Sequence, residues 1–165
     1  MDWKFLGEKT ILAPFHAAHY PVQWCKGAGD FAFCDNWEPR DAYVIQGTSK
    51  LPQYAYGGRL LFIDKDTYLV AFSDISDPSG ALWKVWMNDW SFRKQAFPGA
   101  HYTYDTPFPF NPSIVMVDVQ MQHATKAALP SLAYPGEEGW YFNKGAEVGD
   151  TGDFFTIASM IESGH

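Results

Sequence analysis

Two histidines and two cysteines are the first residues whose types and spacing suggest chemistry. His16-Ala17-Ala18-His19 has the spacing of paired metal ligands on a helix, and Cys25 and Cys34 follow. A structural zinc site takes four ligands in tighter pairs, such as two cysteines with two residues between them. Pro14 and Pro21 also limit any helix here. The pattern reads as a polar loop, and no metal or other cofactor is expected. The turn-like Lys26-Gly27-Ala28-Gly29-Asp30 lets the cysteines meet. Cys25 and Cys34 are then either a disulfide of an oxidising compartment or two reduced thiols in a loop.

Acidic runs come next. Asp64-Lys65-Asp66 and Asp74-x-x-Asp77-x-x-Gly80 lack the ligand register and terminal glutamate of an EF-hand. Aspartates at β-turns accept backbone N–H bonds, which accounts for both runs without an ion. Asp118, His123 and His101 would need a serine to form a hydrolase triad, and the chain has no Gly-x-Ser-x-Gly elbow. A triad is defined by geometry, so a hydrolase of esters or lactones stays as an alternative with no catalytic residue assigned.

The aromatic residues make the strongest candidate surface. Phe62, Phe72, Trp83, Trp86, Trp90 and Phe92 crowd the middle of the chain. Each alone reads as core. Their excess on both strand faces marks a ligand-binding or interface surface, because Trp combines an apolar body with a polar handle. Arg59 and Lys84 among them can meet a carboxylate or phosphate head group, or reach past them to solvent.

The elements that position these residues are strands. Arg59-Leu60-Leu61-Phe62-Ile63 and Tyr68-Leu69-Val70-Ala71-Phe72 flank the turn Asp64–Thr67, a hairpin. A long strand runs from Leu82 to Phe92, another from Arg40 to Gln46, and a first strand or pair lies within residues 3–15. Ile114–His123 alternates Val115, Val117, Val119 and Met121 against Met116, Asp118, Gln120 and Gln122, the sign of one dry and one wetter face. Phe97–Pro112, with four prolines, reads as a loop covering the sheet. From Asp153 a short helix capped by Thr151 or Asp153 carries Phe154, Ile157 and Ile161 at helical spacing, to pack on the sheet.

With 165 residues the chain suits one domain, 1–165. Hydrophobic residues reach 47% and aromatics 18%. The strands of the middle are apolar on both faces, so the second face needs a layer, a partner chain or an apolar ligand. A net charge of −7 opposes a nucleic-acid partner and docking on anionic lipid. No apolar run is long enough for a transmembrane span. Met1-Asp2-Trp3 opens without the basic and apolar regions of a signal peptide.

Glu38–Gly47, Tyr56–Tyr68, Ser73-Asp74-Ile75, Gly80–Val85, the opening Trp3–Lys9 and the closing Phe154-Phe155-Thr156 resemble a bacterial envelope family labelled domain of unknown function thirteen-twenty-nine. The resemblance implies the fold of the lipoprotein-localisation factors LolA and LolB, an incomplete β-barrel around an apolar cavity. It matches the C-terminal part of longer family members and implies a periplasmic or outer-membrane-associated place.

The sequence therefore predicts a mainly β protein: a curved antiparallel sheet or incomplete β-barrel with a short C-terminal helix. The expected function is non-catalytic binding or carriage of a lipid or other hydrophobic ligand. The alternatives are the hydrolase and a dimeric interaction module. An open edge strand and an uncovered apolar face also predict a homodimer.

Overall fold

Seven strands run up and down in chain order, each antiparallel to the last. They are β1 (Asp2–Ala13), β2 (Glu38–Thr48), β3 (Gly58–Asp64), β4 (Val70–Ser76), β5 (Leu82–Arg93), β6 (Phe108–Asp118) and β7 (His123–Ala128). The computed structural model describes residues 1–128, 140–148, 152–153 and 156–164. Among these, β1 and β7 each pair on one side only, so the sheet is open. Register shifts in the β1–β2, β3–β4, β4–β5 and β5–β6 pairings are bulges of the kind that bend strands and raise twist. The mainly β, open antiparallel sheet expected from the sequence is the one observed.

Residues opposite each other across a ladder share a face. One face carries Val44, Phe62, Phe72, Met87 and Val115 in a single cross-strand row. The segment between β1 and β2 covers it. Trp37 stacks on Phe72 at 6.3 Å, and Phe33 and Trp24 continue the aromatic chain. Phe33 and Val22 are buried with Val115, and Phe15 with Ala13 and Ala71. The segment is held by a small hairpin in which Trp24 bridges Phe33 and Cys25 N–H donates to the Ala32 carbonyl. Cys25 and Cys34 stand as free thiols, hydrogen-bonded to each other, which pushes the Cys25 thiol up. Of the two states left open by the sequence, the disulfide is the one not formed; backbone bonds close this hairpin without it.

Two elements differ from expectation. The strand predicted over Ile114–His123 begins earlier, at Phe108, and stops at Asp118. The Asp118 carboxylate accepts the N–H groups of Gln120 and Met121, which turns the chain before Val119 can extend the strand. Pro109 and Pro112 lie inside β6, in the part that β7 does not reach, since β7 pairs from Ser113 onward. On that free edge a missing N–H breaks no ladder bond. The loop expected to end at Pro112 therefore ends before Phe108.

The C-terminal helix α1 (Ile157–Ser163) forms, but Thr156 caps it, accepting the Ser159 N–H at 3.2 Å. Ile157 is 74% exposed and Ile161 60%. The expected packing of this stripe on the sheet is not observed, because residues 14–37 already occupy the dry face. Thr151, Phe154 and Phe155 lie outside the described residues.

Gly57 seats the loop between β2 and β3. A Cβ there would stand 2.2 Å from the Asp77 carbonyl oxygen. Gly57→Ala is expected to cost about 1–3 kcal/mol through this overlap, read as a lower urea midpoint with an unchanged slope.

Candidate functional site

The other face of the sheet has no such cover among the described residues. Its central row is Phe5, Ile45, Leu61, Ser73, Trp86, Met116 and Thr125, one from each strand. A second row brings Glu8, Tyr43, Ile63 and Val70 into line. Asn88 donates to the Val70 carbonyl and faces Ile114 and Ala127 across the ladder. A third holds Trp3, Gly47, Arg59, Ile75, Lys84 and Asp118. Most of these apolar side chains are half-buried, and Phe5 is 58% exposed. A soluble sheet normally presents polar residues on its open side.

A groove of about 210 Å³ lies at the centre, lined by Arg59, Leu61, Val70, Ser73, Ile75, Trp86 and Asn88. Trp86 is pinned: its indole N–H donates to Asn88 Oδ1 at 2.8 Å, while Asn88 Nδ2 donates to the Val70 carbonyl at 2.9 Å. With its polar handle engaged inside the protein, Trp86 offers an apolar surface to the groove. Ser73 is 6% exposed, and its hydroxyl has no hydrogen-bond partner among the described residues.

At one end the groove meets a cluster of aromatics and cations. Tyr56 lies edge-on to Trp83 at 5.5 Å and to Tyr54 at 5.4 Å. The Arg59 guanidinium sits over Tyr56 at 5.4 Å, and Lys84 Nζ over Trp83 at 4.6 Å, both within cation–π range. Asp118 accepts the Trp83 indole N–H at 2.8 Å. The turn N–H of Met121 above all holds its carboxyl below the usual range.

A larger cavity of about 470 Å³ lies elsewhere, among Ala18, Tyr20, Arg93, Lys94, Gln95, Phe97, Pro98 and Thr103. Its polar groups are largely engaged: Arg93 donates to the Ala17 and His19 carbonyls, and Gln95 to Thr103. Among the described residues it has no buried unpartnered group with which to hold a ligand, and the open face does.

A family model described as "Protein of unknown function (DUF1329)" matches residues 1–160. The chain belongs to the DUF1329 family. No curated protein matches it. A solved domain from Vibrio parahaemolyticus, named for outer membrane lipoprotein sorting, is similar at 14% identity with a TM-score of 0.46. The match covers 75% of this chain and 37% of that one, so the DUF1329 chain spans little more than a third of that structure's length.

The expected site residues of this DUF1329 chain divide between the two faces. Trp86, Trp83, Arg59 and Lys84 come together on the open side. Phe62 and Phe72 stand on the covered face, edge to face at 6.4 Å. Trp90 and Phe92 pack with Ala13, Phe15 and Ala71, and the Trp90 indole donates to the Val70 carbonyl. Leu61, Ser73, Asn88 and Tyr56 complete the groove and its mouth. Ser73 lies in the segment Ser73-Asp74-Ile75 that carries the family resemblance, which assigns it no role, and Asn88 lies in no motif. Tyr56 had a weak signal in the pair Tyr54-Ala55-Tyr56 ahead of two glycines.

Among the described residues no group of three or more His, Cys, Asp or Glu could hold a metal ion. His16 and His19 bond to Glu38 and Asp35. His101 and His123 are exposed. Ser91 stands three residues ahead of Lys94, a spacing used by some acyl-transfer enzymes. It is buried, and its hydroxyl donates to the Ala17 carbonyl.

Proposed function

We propose that this chain binds or carries a lipid or another apolar molecule on its open sheet face, without catalysis, in the bacterial envelope. The observation that carries the reading is the uncovered apolar row through Leu61 and Trp86 with a groove at its centre. Sites that enclose a drug-sized ligand hold about 300–1,000 Å³. A groove of about 210 Å³ suits part of an extended chain, with the rest lying along Phe5, Ile45 and Met116. Burial of apolar area would drive binding, at about 25 cal/mol per Å² before the costs of ordering. The envelope setting is the one that the family resemblance implies.

Native mass spectrometry of freshly purified protein tests this. A mass excess of a few hundred daltons, lost on denaturation and recovered as lipid in the organic extract, is the expected result. Trp86→Ala is expected to weaken uptake of a fluorescent fatty acid by about tenfold or more, as loss of a central Trp anchor does. It should lower the urea midpoint much less, because the ring is only part-buried. An unchanged affinity removes the groove from the site.

A second reading has its own observation. On the edge strand β1, Trp3, Phe5 and Leu12 are each more than half exposed, as a face shared between two copies would be. A clean dimer without bound lipid in the same spectrum favours that interaction module.

A further inference from the structure

Resting on the proposal that the open face holds an apolar molecule, we infer that its ligand is an anionic amphiphile, with a carboxylate or phosphate group seated at Arg59 and Lys84. The end of the groove is built for negative charge. Arg59 is half-buried, yet no carboxylate lies within ion-pair reach of it among the described residues. Among the described residues its buried Nε has no partner, and its Nη2 reaches only the Tyr54 hydroxyl, at 3.5 Å. An arginine normally meets a carboxylate through paired, charge-assisted hydrogen bonds. Here an aromatic face, Tyr56, supports it instead, leaving its donors without an anionic partner.

Lys84 is only partly neutralised. Its nearest carboxylate oxygen, on Asp118, is 3.9 Å away. The Asp118 oxygens already accept the Trp83 indole and the N–H groups of Gln120 and Met121. Of the other acids of this end, Asp77 is held by Ser79, Ala81 and Gln120, and Asp74, which borders a neighbouring groove with Arg59, makes no ion pair with it among the described residues. Two cations against one engaged Asp118 leave a positive site in a chain of net charge −7.

Ser73 supplies an independent observation. It lines the same groove, more than nine-tenths buried, with a hydroxyl that no described group engages. Buried hydroxyls are normally paired, and a ligand oxygen in the groove would complete this one. Cationic head groups are excluded by the same arrangement, because they would be placed against Arg59 and Lys84 among the rings.

Isothermal titration of the full chain with four dodecyl compounds below their micelle concentrations separates the possibilities. Dodecanoate and dodecyl phosphate are expected to bind about ten- to a hundredfold more tightly than dodecanol. Dodecyltrimethylammonium is expected to bind more weakly still, and inorganic phosphate alone not to compete. Arg59→Gln should erase the preference for the anions, costing them far more than it costs dodecanol. Lys84→Gln, as a second variant, should reduce the preference in part. Equal affinity for dodecanol and dodecanoate, or an equal loss of both in Arg59→Gln, overturns the head-group assignment while leaving the apolar face as a site. Full competition by inorganic phosphate also overturns it, in favour of a free-anion site. Failure of all four compounds to bind removes the reading on which the inference rests.

Discussion

Arg40→Ala is expected to destabilise the fold by about 3–5 kcal/mol, the cost of leaving a buried carboxylate without its partner. Arg40 grips Asp64 in a fork, Nε to Oδ1 at 2.8 Å and Nη2 to Oδ2 at 2.9 Å. Asp64 is fully buried at the end of β3, and among the described residues its other donors are the backbone and hydroxyl of Thr67. The guanidinium also lies over the Phe15 ring at 5.1 Å, so the pair ties the covering segment to the sheet. Burial pushes the Asp64 carboxyl up, but the bonds from Arg40 and Thr67 outweigh it and hold it below its usual range. A lowered folded value adds stability above the ordinary carboxylate range and loses it as pH falls through the folded value. Urea titrations at pH 7 and near pH 3 should show a large gap between wild type and Arg40→Ala at pH 7 and a smaller one in acid. A loss below about 1 kcal/mol at pH 7 would mean that the fork contributes no more than a surface ion pair.

Asp89→Asn is expected to do the reverse and stabilise the protein in mild alkali. Asp89 is 1% exposed; one of its oxygens accepts the Ser113 hydroxyl and the other has no partner. Burial above all, aided by the nearby Asp35 and opposed by Ser113, Arg93 and His19, pushes its carboxyl up to about 7. The folded chain then keeps this proton up to about pH 7, whereas the unfolded chain releases it near 4. Stability therefore falls as pH rises through that window and levels off above it. Asparagine keeps the acceptor for Ser113 and has no proton to lose. The gain should be on the order of 4 kcal/mol at pH 8 and near zero at pH 4. Melting temperatures of both proteins across pH 4–8 decide it: parallel curves would place the Asp89 carboxyl in the ordinary range.

These two carboxylates show where local reading stops. Asp64 opens the turn Asp64–Thr67 and Asp89 lies within the strand Leu82–Phe92, and neither neighbourhood in sequence reveals the group that faces the carboxyl. Asp64 is held below the ordinary carboxylate range and Asp89 is pushed above it because of what crosses to meet them: the Arg40 fork from β2 in the first case, a single hydroxyl bond from Ser113 of β6 in the second.

The strands themselves were legible. The runs Arg59–Ile63 and Leu82–Phe92 are apolar, β-prone and bounded by turns, so β3, β5 and the hairpin after Asp64 follow from the chain alone. β7 was not legible, since His123–Ala128 is polar, mostly exposed and recognisable only by its pairing with Ser113–Asp118. The divided site has the same origin. Leu61 and Phe62 are adjacent and both apolar, and period-2 alternation places them on opposite faces. Alternation cannot say which face stays open. Residues 14–37, most of them within the stretch 16–40 that reads as irregular, decide it by laying Phe15, Phe33 and Trp37 on the Phe62–Phe72 side and leaving Trp86, Leu61 and Arg59 uncovered. Side-chain direction is a local property, dictated by the pleat. Coverage is a contact between distant segments, and only the folded chain establishes it.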